Sequence, residues 1–185
     1  NIFLVSNIVD QYGFTYDHYY QQIVLKTFDN SGNQISNTFV VAGIEGENFS
    51  VKKLIQNPNG GMFLVYSNNN DIKVIPLASD GSKTTEPISI IDNEDYQEFL
   101  DAIQTNDGIF ITWTDTRDGV RDIYGQHISF DGQILSSEEN GFPLCIADNE
   151  QLDASTVFDS LNNTVMACWE DFRNGGDYNI FCRSV

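Results

Sequence analysis

Trp113-Thr114-Asp115-Thr116-Arg117, followed by Asp122-Ile123-Tyr124-Gly125-Gln126, returns 56 residues later as Trp169-Glu170-Asp171-Phe172-Arg173, followed by Asn179-Ile180-Phe181-Cys182-Arg183. A recurrence of residue types in a fixed order marks a repeat architecture, in which each unit is a small sheet that cannot bury both faces alone and gains its core by stacking on copies of itself.

Outward from this segment, a polar residue followed by isoleucine recurs as Gln22-Ile23, Asp71-Ile72, Asp122-Ile123 and Asn179-Ile180, at spacings of 49, 51 and 57 residues. The first three are followed, ten residues after the polar residue, by Gly32, Gly81 and Gly132. These glycines close the turn sequences Asp29-Asn30-Ser31-Gly32, Ser79-Asp80-Gly81 and Phe130-Asp131-Gly132, where Gly, Asn and Asp tolerate positive φ. Between the turns run short stretches rich in β-branched and aromatic residues, best seen at Phe99–Thr105, Ile109–Thr114, Asp122–Ser129 and Phe142–Ala147. Equivalents of the second stretch are Ile2–Ser6, Met62–Ser67 and Val165–Glu170. No segment carries a helical period.

The expectation is an all-β chain of β-propeller blades, each of four antiparallel strands at about 50 residues per repeat. A two-sheet sandwich is the competing architecture, but it gives no reason for turn, acidic loop and aromatic to recur in one order. A single propeller region covers 1–185, with repeat units at about 1–48, 49–97, 98–151 and 152–185. The first unit lacks its first strand and the last lacks its fourth, so the expected object is an arc of about 3.5 blades. It belongs to a larger propeller or to a ring whose remaining strands lie outside this chain.

Composition narrows the partners. Lys and Arg number 9 against 27 Asp and Glu, a formal charge of −18, so the average surface repels phosphate backbones and anionic headgroups. Nucleic acid is excluded as a partner, and no run of about 18 apolar residues offers a transmembrane segment. Cysteines 145, 168 and 182 do not have zinc-site spacing. If Trp169 and Phe181 face each other in one hairpin, Cys168 and Cys182 lie nearly opposite, which permits a disulfide in an oxidising compartment. Two small buried thiols are the alternative.

The segment with Trp113, Asp115, Arg117, Gly119, Asp122, Ile123, Tyr124 and Gln126 resembles the propeller-like repeats of large secreted and surface proteins of bacteria, notably of the Bacteroidetes. Asn140-Gly141-Phe142-Pro143-Leu144-Cys145 and Gln151 share the likeness, and Trp169, Asp171, Arg173, Gly175, Ile180 and Phe181 match again. The likeness covers 107–185 and fades earlier, where Tyr66 stands in place of Trp and the Asp-x-Arg pair is absent. It implies an exported, extracellular or cell-surface repeat domain, one module among several. Read physically, Trp113 and Trp169 fill the space between blades. Asp115 with Arg117, and Asp171 with Arg173, tie down the hairpin after the second strand through a carboxylate–guanidinium fork.

Chemistry has a preferred face. The connections between blades repeat carboxylates, as Glu45-Gly46-Glu47, Asp92-Asn93-Glu94-Asp95 and Asp148-Asn149-Glu150. We take Asp92, Glu94, Asp95, Asp148, Glu150 and the neighbouring Tyr96 as candidate binding residues for a protein or a glycan. Further blades or modules of the same polypeptide are the other expected partners. No cofactor is required, although clustered carboxylates suit calcium; no loop completes the Asp-x-[Asp/Asn]-x-[Asp/Asn]-Gly pattern. A solvated acidic face that maintains solubility is the plain alternative.

His18 and His127 are the only histidines, and no serine or cysteine motif accompanies them, so no catalytic residue is assigned. The expectation is therefore a non-enzymatic extracellular module for binding, adhesion or scaffolding. Two alternatives accompany it. One is a secreted glycan-active enzyme, with carboxylates as acid and base and Tyr16, Tyr19, Tyr20 and Tyr96 stacking on sugars. The other is a subunit completed by strands from a partner chain.

Overall fold

The computed structural model describes residues 2–11, 19–35, 39–45 and 49–185, with side chains at 23–35, 40 and 49–185. Tyr16, His18 and Glu47 lie outside these residues, as do the side chains of Tyr19, Tyr20 and Glu45.

The chain forms four antiparallel sheets of the propeller-blade type, and no helix occurs among the described residues. The first sheet contains β1 (Ile2–Gln11), β2 (Tyr19–Phe28) and β3 (Phe39–Glu45). The second has β4 (Phe49–Gln56), β5 (Met62–Asn68), β6 (Asp71–Leu77) and β7 (Ile88–Ile91) in sequence order. The third repeats that order with β8 (Gln97–Gln104), β9 (Gly108–Asp115), β10 (Asp122–Ser129) and β11 (Phe142–Cys145). The fourth contains β12 (Gln151–Asp159), β13 (Thr164–Asp171) and β14 (Asn179–Ser184).

The repeated glycines are explained by one turn used three times. Gly32, Gly81 and Gly132 have φ of 85°, 91° and 86°, and each donates its N–H to the carbonyl three residues back, at 3.1, 2.9 and 3.0 Å. The short bridges Phe28↔Gln34, Leu77↔Lys83 and Ile128↔Ile134 follow these turns and send the chain toward the next strand. A second regularity lies in the first strand of each later sheet, whose pairing slips between Val51 and Lys53, between Phe99 and Asp101, and between Leu152 and Ser155. Such bulges increase local twist, as blade packing requires.

Two compact units divide the chain, Asn1–Asn69 with Lys73–Ile88, and Asn70–Ile72 with Ser89–Val185. In the first, Ile23, Leu25, Phe49, Met62, Leu64, Tyr66, Ile75 and Leu77 form the core, and Tyr66 packs at 6.0 Å from Phe49 where the later repeats carry tryptophan. In the second, the third and fourth sheets stack through Phe110, Ile123, Leu144, Ala154, Val165, Ala167 and Trp169. Asp101 of β8 fixes that stacking from its bulge, since its Oδ2 accepts both the Thr156 N–H (3.0 Å) and the Thr156 hydroxyl (2.7 Å) of β12. Cys168 and Cys182 pair directly across β13 and β14 and are joined by a disulfide.

Candidate functional site

The strand ends of the second unit carry a row of polar residues, buried except at the outermost strand of the fourth sheet, where Asn179 is exposed. Gln97, Asp115 and Asp122 are in register across β8, β9 and β10, and Gln151, Asp171 and Asn179 occupy the same row of the fourth sheet. Asp115, Asp122, Gln151 and Asp171 are fully buried. Each repeat-motif Asp answers its burial with donors. Asp171 accepts from Trp169 Nε1 (2.9 Å), from the Arg173 backbone N–H (3.0 Å) and from Arg173 Nε and Nη2 (2.8 and 2.5 Å), a two-point fork. These bonds, those from Arg173 first, hold its carboxyl far below the usual range. Asp115 accepts equivalently from Trp113 Nε1 (3.1 Å), the Arg117 N–H (2.9 Å) and Arg117 Nη2 (2.5 Å). The guanidiniums also lie over rings, Arg117 at 4.1 Å from the centre of Tyr124 and Arg173 at 4.1 Å from that of Phe181. Tyr124 stacks on Trp113 and donates its hydroxyl to Asp118; burial and that carboxylate push the phenol well above its ordinary range.

Asp122 differs. Its Oδ1 accepts the Ala147 N–H at 3.0 Å, while Oδ2 is buried without a hydrogen-bond partner. Burial first, then the carboxylates of Asp118, Asp115 and Asp171, raise its pKa against the opposing Ala147 bond. The motif carboxylates Asp115, Asp122 and Asp171 are thus closed to solvent and cannot serve as a substrate site.

At the solvent side of this row the loops after β9 and before β8, β10 and β12 come together. The Thr116 N–H donates to the Tyr96 carbonyl (3.2 Å), the Tyr96 N–H to Thr116 Oγ1 (3.1 Å), the Gln151 N–H to the Arg121 carbonyl (2.8 Å) and the Phe172 N–H to the Glu150 carbonyl (2.9 Å). This backbone stitching sets Tyr96, Arg121 and Glu150 side by side. Tyr96 is 41% exposed, Arg121 Cζ lies 5.7 Å from the centre of its ring, and Arg121 Nη1 is 3.8 Å from Glu150 Oε2.

Of the candidate binding residues, the structure therefore unites Tyr96 and Glu150. Asp92, Glu94, Asp95 and Asp148 stand exposed in the same connections. Asn93 Oδ1 accepts the Asp95 N–H (3.0 Å), and Gln151 Nε2 donates to the Asp148 and Asn149 carbonyls (3.2 Å each), so the amides shape these loops rather than the acids. Among the described residues, no three Asp, Glu, His or Cys side chains converge as metal ligands. Arg121 was missed in the sequence; its only signal is a rare basic residue beside Asp122-Ile123.

No protein-family model and no curated protein matches the sequence. Solved structures similar in fold include an endo-arabinase from Bacteroides thetaiotaomicron, at 13% identity and a TM-score of 0.43, covering 96% of this chain and 73% of that one. A thermostable family-43 glycoside hydrolase follows at 12% and 0.46, covering 95% and 69%. A GH43 endo-arabinanase from Bacillus licheniformis stands at 14% and 0.42, covering 95% and 71%. At these values the likeness assigns no residue a role. The expectation of a non-enzymatic binding, adhesion or scaffold module, and of no enzyme activity, is nevertheless corrected by this finding, since all three are glycoside-cleaving enzymes. The physical reason for the miss is that blade residues and sugar-site residues draw on the same Asp, Arg and aromatic types. Among the described residues, no helix is long and apolar enough to cross a membrane.

Proposed function

We propose that the chain is a glycan-active propeller domain that hydrolyses glycosidic bonds of a neutral polysaccharide. The observation that carries this reading is the exposed Tyr96 ring held between the loops beside Arg121 and Glu150. An aromatic face packs against the C–H face of a sugar, a guanidinium donates to its hydroxyls, and a carboxylate accepts from them. The charge of −18 favours a neutral glycan over a uronate. Hydrolysis by the ordinary route needs two carboxyls about 5–10 Å apart. Glu150 supplies one, and Asp148 and Asp95 belong to the same connections. No cofactor enters the reaction.

The setting proposed is extracellular or cell-surface. The Cys168–Cys182 disulfide supports an oxidising compartment, and the Trp-x-Asp-x-Arg repeat supports a place among the exported repeat proteins it resembles. The test is incubation with a panel of neutral polysaccharides, arabinan, xylan and β-glucan among them, followed by release of reducing ends and by affinity electrophoresis. Release on at least one, weakened about tenfold by Tyr96→Ala, is expected. No release and no retardation with any of them would overturn the reading.

A further inference from the structure

At the opposite ends of the strands, the third and fourth sheets part around a cavity of about 300 Å³ that the platform at Tyr96 does not use. Phe110, Phe142 and Phe158 supply aromatic walls, and Leu135 and Val165 extend the apolar lining. Polar groups come from His127 of β10, from Ser136 in the loop after it, and from the turns before β9 and before β13. The two turns are tied together by Asn106 Nδ2 donating to Asn163 Oδ1 at 2.8 Å.

One side of the cavity is an Asp–His–Thr cluster. Thr105 Oγ1 accepts the Gly108 N–H (3.0 Å) and donates to Asp107 Oδ1 (3.0 Å), while His127 Nε2 lies 3.0 Å from Thr105 Oγ1 and 3.2 Å from Asp107 Oδ1. Burial lowers the His127 pKa more than the nearby Asp107 raises it. Asp107 is 59% exposed and its second oxygen is an available acceptor, because the bonds above use Oδ1. Asn163 keeps its Nδ2 as a donor, because the bond to Asn106 uses Oδ1.

We propose that this cavity is a second ligand site, separate from the Tyr96 platform, which takes one ring of a neutral sugar. A volume at the low end of ligand cavities admits a single ring rather than a chain. Phenylalanine faces suit the apolar side of a sugar ring, and a carboxylate with an amide suits neighbouring hydroxyls that both donate and accept. An anionic sugar is disfavoured by Asp107 and by the charge of the chain. The site does not depend on hydrolysis and stands if the platform binds nothing.

The experiment is a titration of the isotopically labelled chain with the methyl glycosides of glucose, galactose, xylose and arabinose, followed by methyl and amide NMR shifts. Saturable shifts at Leu135, Val165 and Val185, with millimolar Kd for at least one probe, are expected. Asp107→Asn should weaken that probe about tenfold, and Leu135→Trp, a change at an exposed position that narrows the mouth, should abolish the shifts. Tyr96→Ala should leave them unchanged. Absence of saturable shifts at tens of millimolar for every probe would overturn the proposal. So would shifts confined to Tyr96 and Glu150, or methyl glucuronide binding as tightly as methyl glucoside.

Discussion

Asp171 is buried yet ionised because Trp169 and Arg173 surround it with donors, whereas Asp122, equally buried, leaves one oxygen unpartnered and faces other carboxylates. Their contributions to stability therefore have opposite pH dependence. The lowered Asp171 pKa gives a stabilising contribution that is full above the unfolded value, about 3.9, and lost as pH falls through the folded value. The raised Asp122 pKa favours the fold fully below about 3.9, and that contribution is lost as pH rises through its folded pKa. Asp122→Asn keeps the acceptor for the Ala147 N–H and removes the charge. It should stabilise the fold by about 1 kcal/mol at pH 7, raising Tm by about 2–4 °C, with the gain vanishing toward pH 4. Asp171→Asn should cost about 2 kcal/mol at pH 7, less than the 3–5 kcal/mol of a fully buried pair because Arg173 is 33% exposed. Urea denaturation of both variants at pH 7 and pH 4 checks the two signs together.

Between strands, two joints hold the repeat. Gly141 has φ of 77°, and a Cβ there would lie 2.2 Å from Trp113 Cη2 and 3.0 Å from the Gly125 carbonyl oxygen. Gly141→Ala should therefore displace the tryptophan and cost about 3 kcal/mol, read as a lower urea midpoint with an altered Trp113 emission. The disulfide closes a separation of 14 residues, so Cys168→Ser with Cys182→Ser should cost about 3 kcal/mol and speed amide exchange along β14. Strand order was legible in the sequence because turn glycines and alternating apolar residues are local signals. The Trp169–Asp171–Arg173 fork was legible too, since its members lie within five residues. The platform was only half legible. Tyr96 and Glu150 stood out as loop residues, but Arg121 joins them from a third connection, and only folding brings the three together. The cavity beside His127 was hidden for the same reason: its Asp and Asn come from turns 56 residues apart, and nothing near His127 in the sequence announces Asp107 as its neighbour.

Across the whole molecule, 27 acids against 9 bases leave repulsion that folding must overcome. Local pairing leaves much of it, because Arg117 and Arg173 each hold an Asp inside the strand row, while among the loop acids Glu150 has Arg121 at 3.8 Å. Asp92, Glu94, Asp95 and Asp148 remain solvated together, and compacting the chain raises their mutual energy over distances that salt can screen. The Debye length falls from about 30 Å at 0.01 M ionic strength to about 8 Å at 0.15 M. Stability should accordingly rise with sodium chloride over that interval, by several degrees in Tm, and then level off as the loops become screened from one another. Sodium sulfate, which also strengthens apolar burial, should continue to stabilise beyond that range, so the plateau in chloride isolates the charge effect. A thermal series in the two salts at pH 7 separates them. A Tm that does not change with chloride between 0.01 and 0.15 M would mean that the acids are already compensated by neighbours and that self-repulsion does not limit this fold.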